Sequence, residues 1–405
     1  MPTVIATIVV LIIGAASFAM IDRLDLDGDD GDGDKNENGD NDGNGDNGGN
    51  GYDPDTHYYR PYPVSAEFEY QRTVVISTSS SMTYTLNLPA PMDVYNGADI
   101  LQDVTEILPS TTPAEGTTST DGTSNNMMVF KGTLNNDKTT ISVNYKIKTK
   151  TLILDRPYHK ENSGTVDDFE QTLKDTYNRD AWRIDLDLDG VLDPEDDIDS
   201  DGEWDYRIEP TNQEIKNLAD SITAGKSTVY DKILAFYEYL ISDDILNYKA
   251  GGGDLPKACT QTLDEKTGDC DDYSILFISL CRAAGIPARL NFGAMYIKDN
   301  SNWNPHAWSE VYLPLKDGST VIGTVDVVSE QFLIRDAHHV ATWVDTGGDI
   351  TIDGKKQDNL DHYNYLFHYT GSGKLESDRL SSISFTSTGT INVDLMKAEV
   401  INNNR

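Results

Sequence analysis

Cysteine is nearly absent. Cys259, Cys270 and Cys281 are the only three in 405 residues, an odd number at spacings that match neither a disulfide framework nor a zinc site. A single bridge from Cys259 stays open. Basic residues are also scarce, 32 against 68 acids, for a net charge of -36. A surface of that sign repels a phosphate backbone, so nucleic acid is excluded as the partner. Apolar residues make up only 38%, too few for every segment to reach a core. Two or three folded units joined by polar stretches are expected.

The acids that are there cluster. Residues 22–55 carry 13 acids and two bases, and residues 185–205 carry 11 acids and no base. The acidity is therefore local rather than spread over every surface. Residues 25–51 are almost wholly Asp, Gly and Asn, which cannot offset the entropy of folding; segment 22–60 reads as a flexible, self-repelling linker. Ahead of it, residues 3–21 hold no charge, and nineteen residues of helix rise about 28 Å, close to a bilayer core. Ser17-Phe18-Ala19 is a passable cleavage site, but no basic region precedes the apolar run. Residues 1–21 are expected to anchor the chain in a membrane, with the folded domains outside the cytoplasm, or to release it as a secreted protein if cleaved.

Between 61 and 160 the pattern has period two. Met82, Tyr84, Leu86 and Leu88 alternate with polar residues, as do Ile141, Val143, Tyr145 and Ile147. Half-buried antiparallel strands read this way, and a β-sandwich is the expected assembly, with 110–126 as a long loop inside it. Helices are expected from 211, where Thr211 and Glu214 form a capping-box pattern, and again near Ser227. Beyond about 350 the chain returns to strand-like runs, a C-terminal β-rich segment at 351–405.

Segment 161–209 contains an aspartate ladder. Asp185, Asp187, Asp189, Asp193 and Asp196 fall at positions 1, 3, 5, 9 and 12 of a calcium loop, with Gly190 at position 6. Asp197, Asp199, Asp201 and Asp205 begin a second copy with Gly202 at the turn, although its twelfth position is Ile208. The run resembles the aspartate-rich calcium repeats of thrombospondin type 3 and dockerin modules. Structural Ca2+ is the cofactor expected, and no organic cofactor is.

Chemistry concentrates in 210–350. Asp269 can cap a helix with Cys270 in its first turn, where the positive end of the helix dipole favours the thiolate. Asp269, Asp271 and Asp272 oppose that by charge, so an imidazolium close by is required. His306 supplies one from a strand that also carries Trp308, Glu310 and Tyr312 on the same face. Asp326 lies in the apolar run Val321–Val328, where an unpaired carboxylate would be costly, and His306 is its natural partner. Cys281 reads as a core residue.

Gly268-Asp-Cys270-Asp-Asp-Tyr, Arg282-Ala-Ala-Gly-Ile-Pro-Ala-Arg289, His306-Ala-Trp-Ser-Glu-Val and Asp326 together resemble the transglutaminase-like superfamily over roughly 210–345. The order Cys, His, Asp is that of the family. The resemblance implies an α+β, papain-like core in which the cysteine helix packs on an antiparallel sheet. It further implies thiol acyl transfer with Cys270 as nucleophile, His306 as base and acid, and Asp326 as orienter. Family members often place Trp before the aspartate and Pro-Thr after it; here Val325 and Val327 stand there. The expected activity is cleavage of peptide or side-chain amides by a cell-surface cysteine protease with a protein or peptide substrate. Crosslinking by a protein-glutamine transglutaminase and a non-catalytic, calcium-stabilised surface module are the alternatives.

Overall fold

A computed structural model describes residues 59–394, apart from 113–116, 121–124, 186–191, 195, 199–201, 243–244, 250–254, 298–300 and 353–354. The expected anchor at 3–21 and the acidic linker lie outside the described residues. Among the described residues, no helix is long and apolar enough to cross a membrane.

The alternating segments form two antiparallel sheets. One has five strands, in the spatial order Lys374–Asp394, Tyr59–Ser77, Lys138–Lys150, Asp99–Thr112 and Val94–Asn96. The other has four, in the order Leu366–Gly371, Ser81–Ala90, Asn126–Asn135 and Thr117–Thr120. Tyr84, Leu86 and Phe130 from one sheet and Val74, Ile141 and Tyr145 from the other are buried in one cluster. Period-two alternation sends every second side chain to that shared core.

Two sequence expectations are corrected here. The stretch expected to be a loop at 110–126 contains the end of Asp99–Thr112 and the strand Thr117–Thr120, both laddered to neighbours. Thr and Ser are good strand residues when one face meets water, and the polar composition hid them. The C-terminal segment is not a separate piece. Lys374–Asp394 pairs with Tyr59–Ser77 from Tyr59↔Asp394 to Ser77↔Lys374, and Leu366–Gly371 pairs with Ser81–Ala90. The last strands of the chain thus complete the sheets begun by the first.

The second half is a mixed α/β unit. Its five-stranded sheet runs Gln331–Phe332, Thr320–Asp326, Asn302–Pro314, Ala288–Ile297 and His339–Val344, all antiparallel. Helices Cys270–Ala283 and Val229–Leu240 pack on it, and Gln213–Ile222 and Cys259–Glu265 pack on Cys270–Ala283. Helix Gln213–Ile222 is capped by Asn212, whose side chain accepts from the backbone N–H of Glu214 and Ile215. Thr211, expected in that role, instead donates its hydroxyl to Asp180 at 2.5 Å. A cap of this kind is worth about 1 kcal/mol, so the competing bond to Asp180 is enough to shift the helix start by one residue.

The two units are joined by buried polar contacts. Gln102 donates to the carbonyl of Ala341 at 2.8 Å and accepts from its N–H at 2.8 Å. Arg335, fully buried, donates to the Gln102 side chain at 3.0 Å. Asn125 brackets Val344 in the same way, at 3.0 and 2.8 Å. Strand His339–Val344 is therefore held from outside its own sheet. Gly293, in the neighbouring strand, explains how closely that strand lies: a Cβ there would sit 1.9 Å from the carbonyl oxygen of Val340.

Candidate active site

Cys270 is the first residue of the fourteen-residue helix Cys270–Ala283, and Asp269 is its N-cap. Asp272 ties the entry together, accepting from the N–H of Asp269 at 3.2 Å and of Lys257 at 2.8 Å. The rest of the helix is apolar and buried, with Ile275, Leu276, Phe277, Ile278 and Leu280 inside the core. The helix closes before Gly285, as its spacing predicts. Its cysteine end is therefore held by a full helix length of packing while the thiol itself stays half-buried.

The helix lies against strand Asn302–Pro314. Ser274 donates to the carbonyl of Cys270 at 2.7 Å and approaches that of Ala307 at 3.4 Å. Ser309 returns a bond of 3.4 Å to the carbonyl of Ser274. The carbonyl that Ser274 approaches belongs to Ala307, the residue after His306. Thiol and imidazole thus belong to one junction between helix and strand.

His306 is buried, and its Nε2 lies 2.7 Å from Oδ2 of Asp326. That contact uses one ring nitrogen, Nε2, and leaves Nδ1 outside it. Asp326 sits at the end of strand Thr320–Asp326. Its other oxygen accepts from the N–H of Ser329 at 3.0 Å. Burial raises the cost of its charge, yet His306 and His339 outweigh that and hold its carboxyl well below the usual range. Asp326 is an anion locked in an apolar wall.

A residue that sequence reasoning missed completes the arrangement. Nε2 of His339 lies 3.0 Å from the same oxygen, Oδ2 of Asp326. His339 is fully buried, and its ring stands edge-on to Trp308 with centroids 5.0 Å apart. Burial pulls its pKa down, and Asp326 only partly restores it. The only sequence signal was the pair His338-His339 at the head of an apolar run. The ligand atoms of His306, Asp326 and His339 lie within 4.8 Å of one another. Separations of 2.7 and 3.0 Å are hydrogen bonds, shorter than the roughly 3.3 Å between ligands of a tetrahedral ion with bonds of about 2.0 Å.

The electrostatics at Cys270 differ from the sequence expectation. Burial, and then the charges of Asp271 and Asp269, push the thiol well up; the Ala307 N–H is the opposing influence. That direction disfavours the thiolate, so reaction calls for a base to take the proton. Asp271 is itself driven up by burial and by Asp269, and Asp272 is pushed up to about 6, chiefly by burial. Burial, and after it charges that include a Cys270 thiolate, also hold the protons on Tyr248 and Tyr363. Tyr363 stacks on Phe292 at 4.0 Å.

The remaining motif residues serve the fold. Arg282 forms a buried ion pair with Asp345 at 2.6 Å and donates to the carbonyl of Ala288 at 2.9 Å. Arg289 pairs with Glu310 at 2.7 Å. Cys259 and Cys281 are buried and free.

Residues 216–319 match the profile of the transglutaminase-like superfamily. This stretch is a transglutaminase-like domain. The match spans Cys270 and His306 and ends before Asp326. A protein described as a candidate cysteine protease from Cytophaga hutchinsonii has a similar structure, with a TM-score of 0.52 and 17% identity. The alignment covers 82% of this chain and 96% of that one, so the likeness reaches beyond the transglutaminase-like domain and is one of fold. The periplasmic domain of TgpA from Pseudomonas aeruginosa aligns over 62% of this chain and 88% of its own, at 14% identity and a TM-score of 0.28. In sequence, the uncharacterised protein YebA of Bacillus subtilis (strain 168) is 30% identical over 121 residues, 25% of this chain and 16% of YebA. The chain thus spans about a sixth of that relative.

Of the aspartate ladder, Asp187, Asp189, Asp199 and Asp201 lie outside the described residues. Asp185 pairs with Arg183 at 3.1 Å. Asp197 accepts from the N–H of Gly202 at 3.0 Å, and Asp205 accepts from that of Ile198. Asp196 is buried, and its N–H donates to the carbonyl of Asp193 at 3.1 Å.

Proposed function

We propose that this chain is a thiol acyl-transfer enzyme acting on peptide or side-chain amides, with hydrolysis as its outcome. The observation that carries the reading is the buried 2.7 Å contact of His306 Nε2 with Asp326, on the strand against which the Cys270 helix packs through Ser274 and Ala307. In this reading Nδ1 of His306 takes the thiol proton as sulfur attacks the amide carbon. The C–N bond breaks as the same imidazole returns the proton to the leaving amine, leaving a thioester on Cys270. Water, deprotonated by His306, then attacks the thioester carbon and releases the acid and the thiol. Asp326 keeps the imidazole in the tautomer with Nδ1 unprotonated and offsets its transient positive charge. An amine in place of water gives crosslinking with the same residues. Hydrolysis is favoured because the similar structure from Cytophaga hutchinsonii is described as a protease. We propose further that the site works outside the cytoplasm, on a chain held to a membrane by residues 1–21 or secreted if they are cleaved.

The test is the alkylation rate of each cysteine at pH 7, followed by mass spectrometry in protein lacking residues 1–58, with His306→Ala alongside. Cys270 is expected to react at least about tenfold faster with His306 than without it. Equal rates would remove the base from the mechanism and leave the surface-module reading. Release of peptides from casein, against incorporation of a labelled amine, then separates hydrolysis from crosslinking.

For the aspartate ladder we propose structural Ca2+. The bond from Gly202 N–H to Asp197 links positions 1 and 6 of the second loop, and Gly202 has φ of +87°, which suits the sharp turn of such loops. Calcium is expected to raise Tm, and chelator to lower it; a Tm indifferent to both refutes the proposal.

A further inference from the structure

We propose that His339 is a positioning residue for the acyl-transfer reaction, acting as a second, neutral imidazole donor that fixes the Asp326 carboxylate toward His306. The inference rests on the reading of Cys270 and His306 given above and adds a fourth side chain to it.

Its basis is geometric. Asp326 Oδ2 receives two ring nitrogens, His306 at 2.7 Å and His339 at 3.0 Å, while Oδ1 receives the N–H of Ser329 at 3.0 Å. An ionised carboxylate only accepts, so Nε2 of His339 must carry a proton. Nδ1 of His339 lies 3.3 Å from the carbonyl of Asp336, an oxygen already occupied by the backbone N–H of His339 at 3.0 Å. The shorter contact is the one to Asp326, and the buried ring needs only that single proton. The groups that face it are Asp326, His306 and Asp336.

Three donors on two oxygens leave the carboxylate no rotational freedom about its χ2. A carboxylate held from one side only can swing; one braced by His339 and Ser329 presents Oδ2 to His306 at a fixed angle. The brace is itself supported. His339 opens the strand His339–Val344, and Gln102 grips Ala341 two residues on, from the neighbouring unit. The rigid side of the site is thereby tied to the sheets formed by the first and last strands of the chain.

Gln and Asn discriminate the role because they carry the same amide at different reach. The amide nitrogen of Gln replaces Nε2, facing Asp326; that of Asn replaces Nδ1, facing Asp336. The experiment measures the Cys270 alkylation rate against pH in wild type, His339→Gln, His339→Asn, His339→Phe and His306→Ala. His339→Gln is expected to keep the wild-type curve. His339→Asn and His339→Phe are expected to react about tenfold more slowly at pH 7, with midpoints displaced upward toward that of His306→Ala. Should His339→Phe fail to fold, the Gln and Asn pair decides alone. A wild-type curve in His339→Asn overturns the inference, as does a Gln variant no better than Asn. A downward shift overturns it too, because it would mean that His339 merely dilutes the charge His306 feels. If His306→Ala leaves Cys270 unchanged, the acyl-transfer reading fails first and this inference falls with it. If only the His339 variants are silent, this inference fails alone.

Discussion

Replacing Asp326 by Asn changes one heavy atom and tests the core of the mechanism. The carboxylate accepts three hydrogen bonds, from His306, His339 and the N–H of Ser329. A carboxamide must place its NH2 at one of the two oxygen positions. At Oδ1 it would face the Ser329 N–H, donor against donor. At Oδ2 it faces two ring nitrogens that can each become acceptors by switching tautomer, so this orientation wins. His306 then carries its proton on Nδ1 and can no longer take one from Cys270. Only thiol that ionises spontaneously would react. An ordinary thiol of pKa about 8.5 is roughly 3% thiolate at pH 7, and burial with Asp271 and Asp269 drives Cys270 higher than that. Losing the general base, typically worth about 10²–10⁴-fold, should slow alkylation at pH 7 about a hundredfold, or ~2.7 kcal/mol at 1.36 per decade. Amide turnover should fall further, by about 10³–10⁴. Iodoacetamide labelling read by mass spectrometry is the assay, with buried Cys259 and Cys281 as slow internal references. An Asp326→Asn protein that folds and labels Cys270 within about threefold of wild type would refute the reasoning.

Three further outcomes are expected. Arg282→Met should destabilise by about 3–5 kcal/mol by leaving Asp345 buried and unpaired, and Asp345→Leu added to it should restore part of that loss; urea unfolding of the single and double variants is the measurement. Gly293→Ala should cost about 3 kcal/mol, because the new Cβ meets the Val340 carbonyl at 1.9 Å, and hydrogen exchange should show strand His339–Val344 loosening first. Asp361 is pushed up to about 7, by burial and then by Asp358, which burial pushes up to about 6. A carboxyl raised on folding takes up a proton between its unfolded value near 3.9 and its folded one, so its contribution is lost as pH rises through that window. Asp361→Asn mimics the protonated form and should raise Tm at pH 7.5 while leaving it nearly unchanged at about pH 3, below the unfolded value.

Local features were legible in the sequence. The helix opening at Cys270 and closing before Gly285 follows from a capping aspartate, an apolar stripe and a glycine, all within twenty residues. The placement of Asp326 against His306 followed from cost alone, since an acid in the run Val321–Val328 needs a partner. What the sequence hid is what long-range pairing decides. Lys374–Asp394 lies in a stretch that reads as strand-like, yet nothing in it names its partner, Tyr59–Ser77, about three hundred residues away. Thr211 looked like a cap until Asp180 took its hydroxyl. The thiol's electrostatics were misjudged for a related reason: the three neighbouring acids were visible, but burial, the largest influence on Cys270, is a property of packing.

His339 shows where local reading stops. A histidine at the head of an apolar run is most often a packed residue, and the carboxylate that gives this one its role stands 13 positions away. Its meaning comes from Asp326, from Gln102 in another unit, and from Gly293, whose missing side chain lets the two strands close up. Each of these is ordinary alone. Together they join the buried carboxylate, through the oxygen it shares between His306 and His339, to strand Asp99–Thr112 of the other unit. If the sheets served only to space the site from a membrane, Gln102→Ala would leave Cys270 chemistry untouched. If they brace it, that variant, more than 100 residues from the cysteine in sequence, should slow Cys270 alkylation in the same sense as His339→Asn.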